Sequence, residues 1–132
     1  MAREFHRADR VADAMRRELA QLIQQEVRDP RLGMVNINDV EVSRDLATAK
    51  VFVTFVGEDD RSKIDISMEV LNKAAGFLRS QLARLIQMRS IPRLHFRYDE
   101  TSVRGQALSA LIDKAVNEDR QHQDDDSDSK ED

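Results

Sequence analysis

Seven apolar residues, Ile64, Met68, Leu71, Ala75, Leu78, Leu82 and Leu85, follow one another at steps of 4, 3, 4, 3, 4 and 3. Only a helix places such residues on one face, so the stripe predicts one long amphipathic helix from about residue 62 to about residue 90. Gly76 lies inside it, within Ala74-Ala75-Gly76. A glycine there costs about 1 kcal/mol relative to alanine. Either the helix tolerates it for close packing, or it breaks the helix and turns backbone N–H groups toward an anion.

The flanking segments alternate between two periods. Val11, Ala12, Met15, Leu19, Leu22, Ile23 and Val27 predict a first helix over 7–28, closed by Asp29-Pro30 because a residue before proline avoids the helical region. Val35, Ile37, Val40 and Val42 read as a strand, and their change of parity points either to a bulge near Asn38-Asp39 or to a late strand start. From Ala49 to Val56 a second strand places Ala49, Val51, Val53 and Phe55 on one face and Lys50, Phe52, Thr54 and Val56 on the other, with Ser43-Arg44-Asp45-Leu46 as the hairpin. Leu94, Phe96 and Tyr98 alternate with His95 and Arg97 in a third strand after Ile91-Pro92. A last helix is expected near 102–117, with Leu108, Leu111, Ile112 and Ala115 inward. The order is an α+β domain, three strands with helices to one side, over residues 1–117. Residues 118–132 contain no large apolar residue and are expected to be a disordered acidic tail.

Charge divides the chain in the same way. The tail carries eight acids against two cations, a net of −6, so the overall −4 leaves +2 for residues 1–117. Between Glu69 and Asp99 there is no acid, but there are six cations: Lys73, Arg79, Arg84, Arg89, Arg93 and Arg97. On the predicted helix Lys73, Ser80, Arg84 and Gln87 lie opposite the apolar stripe, with Arg79 flanking them, so that Lys73 and Arg84 could follow a phosphate backbone. A solvated helix face is the plain alternative, but such faces usually mix signs for i,i+4 pairing, and this one does not. An acid-free basic stretch suits a polyanion, whose bound counterions are released on contact. Phe77 sits among these cations, where a base could stack on it, although packing under a neighbouring element is the commoner fate. Near the N-terminus Arg3, Arg7 and Arg10 alternate with acids. They read as an ion-paired surface whose first residues could form a basic arm on RNA.

Other classes find little support. There is no cysteine, so disulfides and thiolate sites are excluded, and His6, His95 and His122 have no ligand-like spacing. No catalytic constellation, cofactor motif or metal site is present, and Asp99-Glu100 reads as a helix start. The start has no secretory pattern and no apolar run spans a bilayer, so a cytoplasmic protein is expected. The Gly-x-x-Gly clamp of KH domains is missing, since no two of Gly33, Gly57, Gly76 and Gly105 are three apart. The basic surface is therefore expected to hold structured RNA by its backbone. A small protein-interaction module with incidental cations is the competing reading.

Several segments together resemble the bacterial ribosome-binding factor A family. They are Arg10-Val11-Ala12, Asp29-Pro30-Arg31-Leu32, Val40 to Leu46 with Ala49-Lys50-Val51, Ala74-Ala75-Gly76-Phe77-Leu78-Arg79, Ile91 to Phe96, and Tyr98-Asp99. The resemblance implies a type II KH-like fold, α-β-β-α-kink-α-β, with an Ala-x-Gly kink at Ala74, Ala75 and Gly76 in place of the clamp. Ala75 stands where relatives often carry serine, so no hydroxyl bond is assigned there. The resemblance also implies a non-enzymatic, monomeric assembly factor without cofactors. Such a factor binds the small (30S) ribosomal subunit and its 16S rRNA, assists late maturation and rRNA processing, above all in the cold, and leaves with the aid of an assembly GTPase. RNA contact is then expected at Lys73, Arg79, Arg84, Arg89 and Arg97, helped by Arg3, Arg7 and Arg10.

Overall fold

The structure is a computed structural model that describes the backbone of residues 2–131 and the side chains of residues 7–120. Its elements are α1 (Ala2–Glu26), β1 (Val35–Val42), β2 (Thr48–Phe55), α2 (Arg61–Lys73), α3 (Ala75–Leu85), β3 (Arg93–Tyr98) and α4 (Glu100–Glu131). They form two units, Met1–Asp99 and Glu100–Asp132.

In the first unit the strand order is β1-β2-β3. β1 and β2 are antiparallel, with Val42 opposite Ala49 and Val35 opposite Phe55, and the register slips between Ile37 and Asp39. Of the two readings of the parity change, that slip is the bulge; the strand already begins at Val35. The hairpin turns through Leu46 at φ 60°, and Asp45 accepts from Ser43 Oγ at 2.7 Å and from the Ala47 N–H at 3.1 Å. β2 and β3 are parallel, Thr48 beside Arg93 and Val53 beside Tyr98. A parallel pair needs a long crossover, and α2 with α3 supplies it.

One face of the sheet is dry. Ala49, Val51, Val53 and Phe55 are buried, as the alternation required, together with Leu94 and Phe96. Met15 and Leu19 of α1, Leu71 of α2, and Leu78 and Leu82 of α3 cover them and are fully buried. Each such side chain contributes about 1.5–3 kcal/mol by leaving water. No helix of this unit covers the other face, which carries Lys50 and Phe52 of β2 and Arg93, His95 and Arg97 of β3. The free edge of β3 is occupied: Asn72 accepts from the Phe96 N–H at 3.1 Å and donates to its carbonyl at 3.4 Å.

The single long helix predicted over 62–90 is two helices. Ala74 is the C-cap of α2 and the N-cap of α3 at φ −82°, ψ −6°. Its N–H reaches both the Val70 and the Leu71 carbonyls at 3.1 Å. The chain breaks just before Gly76, where three small side chains put up no resistance to a bend. Leu71 and Leu78 remain buried on either side, so the stripe survives the break. α3 also stops at Leu85, not near 90. Ile86 is extended, its N–H bonded to the Leu82 carbonyl at 2.8 Å, and Ile86 and Met88 pack against the core while Leu85 is 52% exposed. α1 in turn starts at Ala2, earlier than the predicted 7.

The second unit corrects another expectation. Leu108, Leu111 and Ile112 are exposed, not inward; Leu111 is 65% exposed. A lone helix has no second layer of its own to bury such residues against. The helix continues to Glu131, past the boundary read at residue 117, with no glycine or proline after Gly105 to stop it. That continuity differs from the disordered tail expected over 118–132; the side chains of 121–132, His122 among them, lie outside the described residues.

Candidate nucleic-acid interface

The break at Ala74 builds the site. A helix that restarts needs partners for its first N–H groups, and Ala74 has no side chain to offer; no side-chain cap bonds α3. Such a terminus favours an anion. The same bend leaves Phe77 46% exposed. The C-terminal end of α1 and the turn after it come against this point, and a shallow hollow forms between Glu26, Val27, Arg28, Asp29, Val70 and Phe77. Arg31, Lys73 and Ala74 complete its lining.

Three cations meet there, and two are already engaged. Lys73 Nζ lies 3.1 Å from Glu69 Oε1, a solvent-exposed i,i+4 pair of little strength. The acid that bounds the acid-free stretch thus faces its first cation. Arg31 grips Asp29 by two bonds, Nε at 3.1 Å and Nη2 at 2.7 Å. Asp29 also accepts from the Arg31 N–H at 2.9 Å. These bonds from Arg31 lower the Asp29 carboxyl to about 2. Arg28 donates from Nε to the Gln25 carbonyl at 3.5 Å, a long bond. Ser67, only 3% exposed, holds the turn in place by donating to the Arg31 carbonyl at 3.2 Å and accepting from the Gly33 N–H at 3.1 Å.

The other expected contacts are dispersed. Arg79 is half-buried and donates from Nε to the Ile91 carbonyl at 2.9 Å, tying α3 to the loop before β3. Arg84 lines a separate hollow with Glu18, Gln21, Glu26 and Gln81, so its surroundings mix signs. Lys73 and Arg84 lie on different helices and do not form one row. Arg89 is exposed in the loop after α3, and Arg97 is exposed on the uncovered sheet face. Arg7 and Arg10 are exposed near the start of α1, about 24–28 Å from its hollow-lining end by helix rise; the side chain of Arg3 lies outside the described residues. Gly76 has open space around it and no positive φ, so the kink does not depend on glycine geometry.

Arg28 and Arg31 were not among the expected contacts. Both lie outside the acid-free stretch, and only the packing of α1 on the α2–α3 break brings them beside Lys73. No cluster suited to a metal ion exists among the described residues, and no helix there is long and apolar enough to cross a membrane.

Comparison with known proteins agrees with this architecture. The family model described as ribosome-binding factor A matches residues 7–112. Ribosome-binding factor A of Teredinibacter turnerae is 62% identical over 126 residues, 96% of each chain. That of Cellvibrio japonicus is 64% identical over 122 residues, 92% of this chain and 90% of its own. The crystal structure of the Thermus thermophilus factor superposes with a TM-score of 0.60 at 30% identity, over 69% of this chain and 93% of its own. A homology model of the Thermus thermophilus factor, fitted into a cryo-EM map of a 30S complex, gives 0.52 at 32% identity over 64% and 86%. With its three-stranded KH-like sheet and its helix pair broken at Ala74, the chain belongs to the ribosome-binding factor A family.

Proposed function

We propose that this protein binds the small ribosomal subunit through its 16S rRNA and acts there as a non-enzymatic assembly factor. The observation that carries the reading is the break at Ala74. It sets an uncapped helix start and an exposed Phe77 beside Arg28, Arg31 and Lys73. That combination offers N–H groups and cations to phosphates and a ring to a base. A phosphate can displace Glu69 from Lys73, because an exposed ion pair is worth little in water. Arg79 keeps its Nε on Ile91, while its terminal nitrogens, without a hydrogen bond among the described residues, serve a second phosphate. Arg84, Arg89, Arg97, Arg3, Arg7 and Arg10 act as further phosphate contacts on a large RNA.

Support comes from family membership and from the Thermus thermophilus relative fitted on a 30S subunit. The protein acts in the cytoplasm as a monomer, during late maturation and 16S rRNA processing, with its main importance in the cold, and an assembly GTPase promotes its release. Cosedimentation with immature small subunits at rising salt tests the reading. A folded Arg28→Glu/Lys73→Glu variant should be lost from the subunit fraction at lower salt than the parent. Unchanged, salt-insensitive cosedimentation would favour a protein-docking module instead.

A further inference from the structure

We propose that the uncovered face of the sheet is a second RNA-contacting surface, which stacks a single-stranded base on Phe52 while Lys50, Arg93 and Arg97 hold the adjoining phosphates. The inference rests on the RNA-binding reading above and deepens it.

The register creates this surface. In the parallel pair Lys50 stands beside His95, Phe52 beside Arg97, and Thr48 beside Arg93. Strands lie about 4.8 Å apart and same-face residues about 6.6 Å apart, so Lys50 and Arg97 stand next to the aromatic ring and Arg93 lies further along the same face. Lys50, Arg93, His95 and Arg97 are all exposed, whereas Phe52 is half-buried in the central strand. None of Lys50, Arg93 and Arg97 has an ion-pair partner among the described residues, unlike Lys73 and Arg31 at the kink. These sheet cations are therefore less engaged with the protein itself than the two at the kink.

Two structural explanations for these side chains are weaker. Charged residues often protect an edge strand from pairing with other chains. Here Asn72 already occupies both hydrogen-bonding groups of Phe96 on that edge, and the three β3 side chains stand on the face. Nor does a solvated sheet face call for a phenylalanine at its centre. Charge also gives the surface a direction. Across β1 the opposing residues are acidic, Glu41 opposite Lys50 and Asp39 opposite Phe52. A polyanion would be repelled from the β1 side and held along β2 and β3. An aromatic ring beside a track of cations is an arrangement that binds single strands with little sequence preference.

Fluorescence anisotropy of the full chain with a short fluorescein-labelled oligouridylate tests this. Phe52→Leu, which keeps an apolar side chain but loses the ring, should bind about tenfold more weakly, and Phe52→Tyr should bind like the parent. Lys50→Gln/Arg93→Gln/Arg97→Gln should lower the slope of log affinity against log salt by about two, since each single-strand phosphate contributes about 0.7. Circular dichroism checks folding, and the triple variant alters only exposed side chains should Phe52→Leu fold poorly. Unchanged affinity and slope in the triple variant would overturn the inference. The kink variant Arg28→Glu/Lys73→Glu, run alongside, separates the two levels. If it alone loses RNA, the sheet surface is excluded while the proposed function stands; if neither variant loses RNA, both fall.

Discussion

The Nε of Arg79 donates to the carbonyl oxygen of Ile91 across twelve residues at 2.9 Å. A cation expected to serve RNA thereby also anchors the loop that delivers β3. Arg79→Lys keeps the charge but not the bond geometry, since an ammonium on a flexible stem does not replace a planar guanidinium. It should lower stability by about 1 kcal/mol in urea unfolding while leaving the salt slope of RNA binding intact. A change in slope without a change in stability would reverse that assignment.

Ser67 joins α2 to the turn that carries Arg31, accepting from one backbone group and donating to another. Ser67→Ala strands the Gly33 N–H and removes the donor to the Arg31 carbonyl. The expected cost is about 1–3 kcal/mol. Hydrogen exchange at Gly33 should accelerate relative to core amides of β2, and unaltered protection would exclude the link.

The two glycines Gly76 and Gly57 should respond in opposite directions. A methyl group at Gly76 meets nothing within 4 Å, and its φ is not positive. Gly76→Ala should therefore be neutral or stabilise by up to about 1 kcal/mol, through helix propensity and a less flexible unfolded chain. Gly57 has φ +71°, and Gly57→Ala should destabilise by about 1–2 kcal/mol. Thermal melting of the two variants decides it; a large loss in Gly76→Ala would mean that the break depends on glycine after all.

Asp29 should titrate near pH 2, held low by its bonds from Arg31. A depressed carboxylate stabilises the fold above its unfolded value near 3.9, and that contribution is lost as pH falls through about 2. In Arg31→Ala the two guanidinium bonds are lost but the backbone N–H bond remains, so the side-chain carbon resonance of Asp29 should titrate at a higher pH than in the parent while staying below the ordinary carboxylate value. A midpoint that does not move would show that the guanidinium is not responsible.

Much of the architecture was legible because it follows from local periodicity. Ala49, Val51, Val53 and Phe55 alternate, so they had to share one face, and all four are buried. The parity slip between Ile37 and Val40 located the bulge for the same reason. Periodicity failed where a partner surface was needed. Leu85 completes the stripe in sequence yet is exposed, because the chain leaves the helix there and packs Ile86 against the core instead. Leu108, Leu111 and Ile112 show an apolar spacing that the fold of their own unit does not bury.

The candidate site divides along the same line. By itself the sequence determined that cations accumulate around a weak point of small residues, because charge balance and side-chain size are properties of the residues alone. Tertiary structure decided where the chain bends, at Ala74, and which cations meet there. It brought Arg28 and Arg31 to Lys73 from a distant stretch, and it placed Arg84 among the carboxylates of α1. It also left Lys50, Arg93 and Arg97 with Phe52 on the one sheet face that no helix of the unit covers. Burial and ion pairing depend on which surfaces pack together, and only the closed fold sets that packing.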